Sequence, residues 1–131
     1  MTATGRVLLV EDDKFLRRAS EASLRQRGFD VITAVDGEEG LRLARETPRP
    51  HVVLLDLLMP KMSGIEVLRA LKADEATAKI PVVILSNSSR AEDKREATML
   101  GAVGYYVKAN LSLKALAAHV SALIEEHASG D

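Results

Sequence analysis

Six polar side chains stand directly after short apolar runs of this sequence, and together they carry the groups that phosphate chemistry uses. They are Glu11, Asp12, Asp13, Asp56, Ser86 and Lys108. Like charges brought close together raise one another's pKa values and cost stability unless a cation compensates them. If folding gathers the ends of these runs, the carboxylates therefore predict a cation site.

Carboxylate oxygens without histidine or cysteine partners favour a hard cation, and a site with few protein ligands and room for water and phosphate favours Mg²⁺ over Ca²⁺. With Mg²⁺ and Lys108 neutralising charge, an Asp56 oxygen can attack a phosphoryl donor in line and form an aspartyl phosphate, whose oxygens Lys108 and Ser86 then hold. Any one of these residues has the alternative of capping a helix or facing water. The complete set favours a Mg²⁺ and phosphate site.

The elements that must position these residues alternate. Short β-branched and Leu-rich runs alternate five times with longer helical patterns, which predicts a βα array. We expect strands at 6–10, 30–34, 51–55, 81–85 and 104–107, and helices at 14–27, 38–46, 64–73, 90–100 and 113–126. Short connections and right-handed crossovers then give an α/β fold, a doubly wound parallel sheet whose functional crevice lies at the carboxyl ends of the strands.

Local signals mark the ends of several predicted helices. Gly28 and Gly101 follow the first and fourth helices, where a residue in the left-handed conformation often closes a helix. Asp36 with Glu39 predicts a capping box at the start of the second helix.

The chain has 131 residues, which predicts a single domain over 1–131 with its core at 6–126 and short tails. Its 18 basic and 19 acidic residues form no block of like charge, which disfavours nucleic-acid and membrane binding. Cysteine is absent, and no apolar stretch approaches the roughly 20 residues of a membrane helix. We therefore expect a cytoplasmic protein. His51, His119 and His127 are expected to be surface or strand-start residues without a ligand role.

Over nearly its full length, residues 6–126, the chain resembles the CheY-like receiver domains of bacterial response regulators. The matching segments are VLLVEDD at 7–13, DLLMPKMSG at 56–64, VILS at 83–86 and GAVGYYVK at 101–108. The resemblance implies a flavodoxin-like (βα)5 fold with strand order 2-1-3-4-5. It also implies a two-component phosphorelay in which a sensor histidine kinase or phosphotransfer protein phosphorylates the receiver.

By the same resemblance, Asp56 is the phosphoacceptor, and Asp12 and Asp56 ligate Mg²⁺ directly. Glu11 contributes through a metal-bound water, and the backbone carbonyl of Leu58 completes the protein ligands. Asp13 is expected to cap the first helix instead of binding the metal.

The resemblance further makes Lys108 the phosphate-pairing lysine, Ser86 the switch hydroxyl and Tyr105 the aromatic that changes exposure on activation. Ser86 reaches a phosphoryl oxygen only if its loop moves inward, which vacates space for the Tyr105 ring. The surface of the fourth helix, fifth strand and fifth helix then changes its affinity for a downstream protein. The alternative for Tyr105 is an edge-strand aromatic without a switching role.

The sequence departs from the family at one position and has informative residues at two variable ones. Ala109 stands where most receivers have a cis proline, so we expect either a trans bond with a rearranged loop or a strained cis bond. Leu58 and Ser88 occupy the variable positions that modulate loss of the phosphoryl group in this family. An apolar Leu58 cannot orient a hydrolytic water, which predicts slow self-dephosphorylation.

Rival functions lack their residues. A phosphatase of the haloacid dehalogenase class needs an acid two residues after the nucleophile, where Leu58 stands, and an FMN carrier needs a neutral phosphate loop where the chain has acids. We therefore expect a stand-alone signalling switch, a monomer or weak dimer, which catalyses only its own phosphorylation and dephosphorylation. Two alternatives stay open: a pseudo-receiver that binds proteins without phosphorylation, and a domain of a longer protein.

Overall fold

Five parallel strands form a single sheet in the order β2-β1-β3-β4-β5, which confirms the doubly wound α/β expectation. The strands are β1 Arg6–Val10, β2 Asp30–Ala34, β3 Val52–Asp56, β4 Val82–Ser86 and β5 Gly104–Val107. The helices are α1 Lys14–Gln26, α2 Gly37–Arg45, α3 Gly64–Ala73, α4 Ala91–Met99 and α5 Leu113–Ser129, with a 3₁₀ turn at Lys108–Asn110. This computed structural model describes residues 5–59 and 61–129, so the tail residues 1–4 and 130–131, and Pro60 of the β3–α3 loop, lie outside the described residues.

Alternation along the strands divides the apolar interior into two clusters, one on each face of the sheet. Leu8 and Ile84 belong to a cluster with buried residues of α2, α3 and α4, which we call the α2–α4 face. Leu9 and Leu85 belong to a cluster with buried residues of α1 and α5, which we call the α1/α5 face. Because both faces are covered, the central strands carry near-continuous apolar runs, as parallel sheets do.

The third and fourth strands each lie one residue later in the chain than the sequence predicted. The backbone N–H of His51 donates to the Arg6 carbonyl at 2.8 Å, and its imidazole Nδ1 accepts the backbone N–H of Arg6 at 2.9 Å. The side chain of His51 thus takes the place of its carbonyl in bonding to β1, and β3 begins at Val52. Pro81 has no N–H to donate, and β4 begins after it at Val82. In consequence Asp56 and Ser86 are the last residues of their strands and not the first residues beyond them.

The predicted glycine stops are confirmed, since Gly28 and Gly101 have φ angles of 94° and 106° after α1 and α4. The predicted capping box is wrong in one half. Asp36 Oδ1 accepts the N–H of Glu39 at 2.8 Å, but the Glu39 carboxylate accepts the N–H of Val35 and not that of Asp36. The remaining helix ends differ from the prediction by at most three residues, the largest difference being at the end of α5.

A reciprocal capping box does form at the start of α3, where Ser63 and Glu66 each accept from the other's backbone N–H. Gly64 follows Ser63 and lies tightly against the end of β3. A Cβ at Gly64 would lie 2.6 Å from the Cα of Leu57 and closer still to the carbonyl oxygen of Asp56. Gly64 also donates its N–H to the Leu57 carbonyl at 2.8 Å, so the β3–α3 loop closes directly onto the strand that carries Asp56.

We predict that Gly64→Ala destabilises the protein by at least about 2 kcal/mol, because its Cβ meets backbone atoms that cannot rotate away. The measurement is the free energy of unfolding from urea denaturation. Ser63→Ala is the matched comparison, since it removes only the neighbouring cap and should cost about 1 kcal/mol. Equal stability of the two variants would contradict the close approach of Gly64 to β3.

Candidate functional site

The buried acids lie on one side of the sheet because the strands alternate. Leu9 and Leu54, two residues before Glu11 and Asp56, both belong to the α1/α5 face. The parallel, in-register pairing of β1 with β3 brings the two strand ends to one edge. Alternation and pairing together therefore place the two carboxylates side by side.

Three carboxylates converge at this edge. Glu11, Asp12 and Asp56 each offer an oxygen, and these oxygens all lie within 4.8 Å of one another. Glu11 is fully buried and Asp56 is 2% exposed, whereas Asp12 is exposed to solvent. The Nζ of Lys108 lies 3.0 Å from Glu11 Oε2 and 3.0 Å from Asp56 Oδ2. One ammonium group thus bridges the two buried acids.

The electrostatics of the group leave a need for more positive charge. Burial, followed by the hydrogen bond with Asp12 and the charge of Glu11, raises the pKa of Asp56 to about 7. Burial also disfavours the charged form of Lys108, but its hydrogen bonds to Glu11 and Asp56 outweigh this, and its pKa is raised. The ammonium therefore stays charged while the carboxylates repel one another.

The donor set fits a hard divalent cation. Glu11 Oε1 is buried and has no hydrogen-bond partner among residues 5–59 and 61–129, which leaves an acceptor to be satisfied at the centre of the cluster. The other Glu11 oxygen accepts from the backbone N–H of Asp13 at 3.1 Å, and Asp56 Oδ1 accepts from that of Leu58 at 3.3 Å. All available ligand atoms are oxygens, as Mg²⁺ prefers.

Asp13 caps α1, as predicted, because its Oδ1 accepts from the N–H groups of Phe15 and Leu16 at 2.9 and 3.1 Å. Arg17 was not foreseen. Its Nη1 donates to the carbonyl oxygens of Glu11 and Asp12 at 3.0 and 3.3 Å and so ties the acidic loop to the first helix. An arginine one turn into the helix after an acidic loop is the signal that would have identified it.

Ser86 and Tyr105 lie on the other side of the sheet from the buried acids. Ile84, two residues before Ser86, belongs to the α2–α4 face, and Tyr105 packs against the same cluster. Ser86 is buried, and its Oγ accepts from the N–H of Ser88 at 3.0 Å. The Tyr105 hydroxyl donates to the Ser88 carbonyl at 2.9 Å, so the ring is already bonded to the loop that follows β4.

Of the two expectations for the bond before Ala109, the structure has the trans bond with a rearranged loop. The cis peptide bond found among the described residues is Thr47–Pro48, and the Lys108–Ala109 bond is trans. A 3₁₀ turn at Lys108–Asn110 takes the place of the proline turn. Lys108 nevertheless reaches Asp56.

Of the three histidines, His51 and His127 are exposed, as expected. His119 corrects the expectation, because it is partly buried and its Nδ1 lies 2.9 Å from the hydroxyl of Tyr106 on the α1/α5 face. The position of His119 in a helical pattern did not indicate that Tyr106 of β5 would be its hydrogen-bond partner.

Sequence comparison gives the family. The family model of the response regulator receiver domain matches residues 7–121. The transcriptional regulatory protein PrrA of Mycobacterium bovis is 41% identical over 124 residues, which are 95% of this chain and 52% of PrrA. The chain thus spans about half the length of that curated relative.

Solved structures agree with this result. The phosphorylated cyanobacterial phytochrome response regulator RcpA is 33% identical with a TM-score of 0.78, and the match covers 98% of this chain and 97% of that one. The Mn²⁺-bound form of response regulator Rcp1 is 32% identical with a TM-score of 0.77, covering 93% and 92% of the two chains.

The fold and the matched family model define a two-component signalling module, and the chain belongs to the response regulator receiver domain family. It is a signalling switch of two-component systems, a family whose receivers bind Mg²⁺ at an acidic pocket and whose members interact with kinases and downstream effectors. Within residues 5–59 and 61–129, none of the helices has the length and apolar character needed to cross a membrane.

The raised pKa of Asp56 predicts how stability depends on pH without metal. Between about pH 4, the unfolded value, and about pH 7, the native chain keeps a proton on Asp56 that the unfolded chain has lost, so this group's contribution to stability falls as the pH rises. The stability of Asp56→Asn relative to the unaltered chain should therefore increase by at least about 1 kcal/mol from pH 4.5 to pH 8.

Urea denaturation in the presence of a chelator measures this difference. Glu75→Gln, which alters an exposed carboxylate, is the control and should show no comparable change. A relative stability of Asp56→Asn that is constant with pH would contradict a raised pKa at Asp56.

Proposed function

We propose that Asp56 accepts a phosphoryl group, in a Mg²⁺-dependent reaction, from a sensor histidine kinase or a phosphotransfer protein. The phosphorylated chain then changes its α4, β5 and α5 surface and so its affinity for a downstream protein. The observation that carries the proposal is the Lys108 ammonium, 3.0 Å from the buried Asp56 carboxylate, within a cluster that brings together three acids.

The metal ligands follow from the same cluster. Asp12 and Asp56 would bind Mg²⁺ directly, the backbone carbonyl of Leu58 would add a third protein ligand, and Glu11 would act through a metal-bound water. The unpaired Oε1 of Glu11 supports this assignment, because a water on the metal gives that buried acceptor a donor. When bound, Mg²⁺ supplies positive charge that offsets the repulsion between carboxylate and phosphate.

The chain's own residues account for the transfer. An Asp56 carboxylate oxygen forms a bond to phosphorus as the bond to the donor's nitrogen or oxygen breaks, and the leaving group takes that electron pair. Lys108, already paired with Asp56, holds one oxygen of the transferred group. The Ser86 hydroxyl donates a hydrogen bond to a second oxygen of the transferred group. To reach that oxygen, the loop that follows β4 must move toward β3.

Two relatives support the chemistry. RcpA has been solved in a phosphorylated form and Rcp1 with Mn²⁺, and both match this chain over more than nine-tenths of its length. The pseudo-receiver alternative is not favoured, since Glu11, Asp12, Asp56 and Lys108 are all present and gathered at one edge. Such a module has no need to retain the full set of charged groups.

The test of the proposal is phosphate incorporation from acetyl phosphate, measured by intact mass. We expect one phosphoryl group per chain in the presence of Mg²⁺, none after chelation, and none in Asp56→Asn. Asp13→Asn is the matched control, because Asp13 caps α1, and it should still be phosphorylated. Mg²⁺-independent labelling, or labelling of Asp56→Asn, would refute the proposed site, and no labelling of the intact chain would favour the pseudo-receiver.

A second prediction concerns how long the phosphoryl group survives. Leu58 is 69% exposed two residues after Asp56 and offers no polar group to orient a hydrolytic water. We expect Leu58→Gln to accelerate loss of the phosphoryl group on the order of 10-fold, a small part of what a fully positioned general base supplies. Leu58→Met, apolar and of similar size, is the control for packing. Equal decay rates of the three phosphorylated proteins would show that Leu58 does not limit hydrolysis.

A further inference from the structure

Ser88 is the residue of the β4–α4 loop on which the bonds of two other functional side chains converge. Its N–H donates to Ser86 Oγ at 3.0 Å, and its carbonyl accepts the Tyr105 hydroxyl at 2.9 Å. One lone pair of Ser86 Oγ is therefore occupied, and among residues 5–59 and 61–129 its single O–H has no acceptor. A displacement of Ser88 therefore alters the hydrogen bonds of both the Ser86 and the Tyr105 hydroxyls.

The side chain of Ser88 fixes that junction to helix α4. Its hydroxyl donates to Asp93 Oδ2 and accepts the N–H of Arg90, the latter at 3.1 Å. Asp93 lies in the first turn of α4, so the bond joins the loop directly to the helix. A hydroxyl can donate only one hydrogen bond, and that of Ser88 donates to Asp93. Ser88 therefore cannot also donate to a phosphoryl group on Asp56.

The loop has room to move. A cavity of about 160 Å³ lies between the β3–α3 loop and the first turn of α4, and Leu58, Ser86, Ser88 and Asp93 are among the residues that line it. The loop after β4 therefore borders open space, and a movement of Ser86 must carry Ser88 with it or break the bonds that Ser88 makes.

We infer that Ser88 is a positioning residue that orients the Ser86 hydroxyl and couples it, through Asp93 and Tyr105, to helix α4 and strand β5. The inference rests on the proposed function of Asp56. Ser88 acts on the bound phosphoryl group only through Ser86. The bond to the Asp93 carboxylate holds the loop in the position seen here, so its loss favours the inward position by about 10-fold, the effect of one hydrogen bond to a charged group.

The tyrosines allow this to be read directly, because the chain contains only two, Tyr105 and Tyr106. Labelling with 3-fluorotyrosine gives two ¹⁹F NMR signals, which Tyr106→Phe assigns. Tyr105 reports the Ser88 junction, while Tyr106, bonded to His119 on the opposite face, is an internal reference. Beryllofluoride with Mg²⁺ serves as a stable phosphoryl analogue at Asp56.

We expect Ser88→Ala and Asp93→Ala to shift the Tyr105 signal and to leave the Tyr106 signal in place. The double variant should shift it no further, because both single changes remove the same bond. The apparent Kd for beryllofluoride at saturating Mg²⁺ should fall about 10-fold in each variant, because the loop is no longer bonded to α4 in its outward position. Mg²⁺ affinity should be unchanged, since the acids lie on the other side of the sheet. Ser88→Thr keeps the hydroxyl and should behave as the unaltered chain.

Ser89→Ala and Glu92→Ala are the matched controls, an exposed serine of the same loop and an exposed acid of the same helical turn. Ser88 variants that match these controls in Tyr105 signal and beryllofluoride affinity overturn the inference alone. A chain that binds no beryllofluoride and takes up no phosphate overturns the proposed function and the inference with it. Urea midpoints of all variants show whether a shift reflects partial unfolding.

Discussion

The contact of the Lys108 ammonium with two buried carboxylates is the interaction on which the arrangement of this molecule depends. Burying Glu11 and Asp56 without a counter-charge would cost several kcal/mol, and the pair is tolerated because Lys108 lies within hydrogen-bond distance of both. That contact exists only if β1, β3 and β5 end at the same edge of the sheet. The register of the parallel sheet and the close packing of Gly64 on β3 are both parts of this one requirement.

Two groups of polar side chains lie at the same edge of the sheet but on opposite faces of it. The acids and the lysine lie with the α1/α5 face, and the hydroxyls of Ser86 and Tyr105 lie with the α2–α4 face. Between β3 and β5 lies β4, whose last residue is Ser86. Under the proposed function, a signal at Asp56 has to cross from one face to the other, and the short loop after β4 bonds to the hydroxyls of both Ser86 and Tyr105.

Much of this arrangement was predictable from the sequence, and the side-chain contacts that were missed have a common cause. Strand and helix order follow from the alternation of apolar runs, and the acid cluster follows from the rule that parallel strands end at one edge. Three side-chain contacts were not foreseen: the bonds of Arg17 to the acidic loop, the Tyr106–His119 pair and the Ser88–Asp93 bond. Each depends on which way a long or polar side chain turns after the backbone is fixed, and periodicity carries no information about that.

Neighbouring tyrosines in β5 face opposite sides of the sheet, and this has a consequence for how the chain tolerates insertion. The side-chain period of a strand is two, so a slip of β5 by one residue against β4 would exchange the two rings. Tyr106 would then meet the loop after β4, Tyr105 would meet His119, and the lysine that follows would be carried away from the acids. A single inserted residue near Gly104 would thus disrupt both the Lys108–Asp56 contact and the bond between Tyr105 and the Ser88 carbonyl, so this edge strand links the two halves of the proposed switch through its length alone.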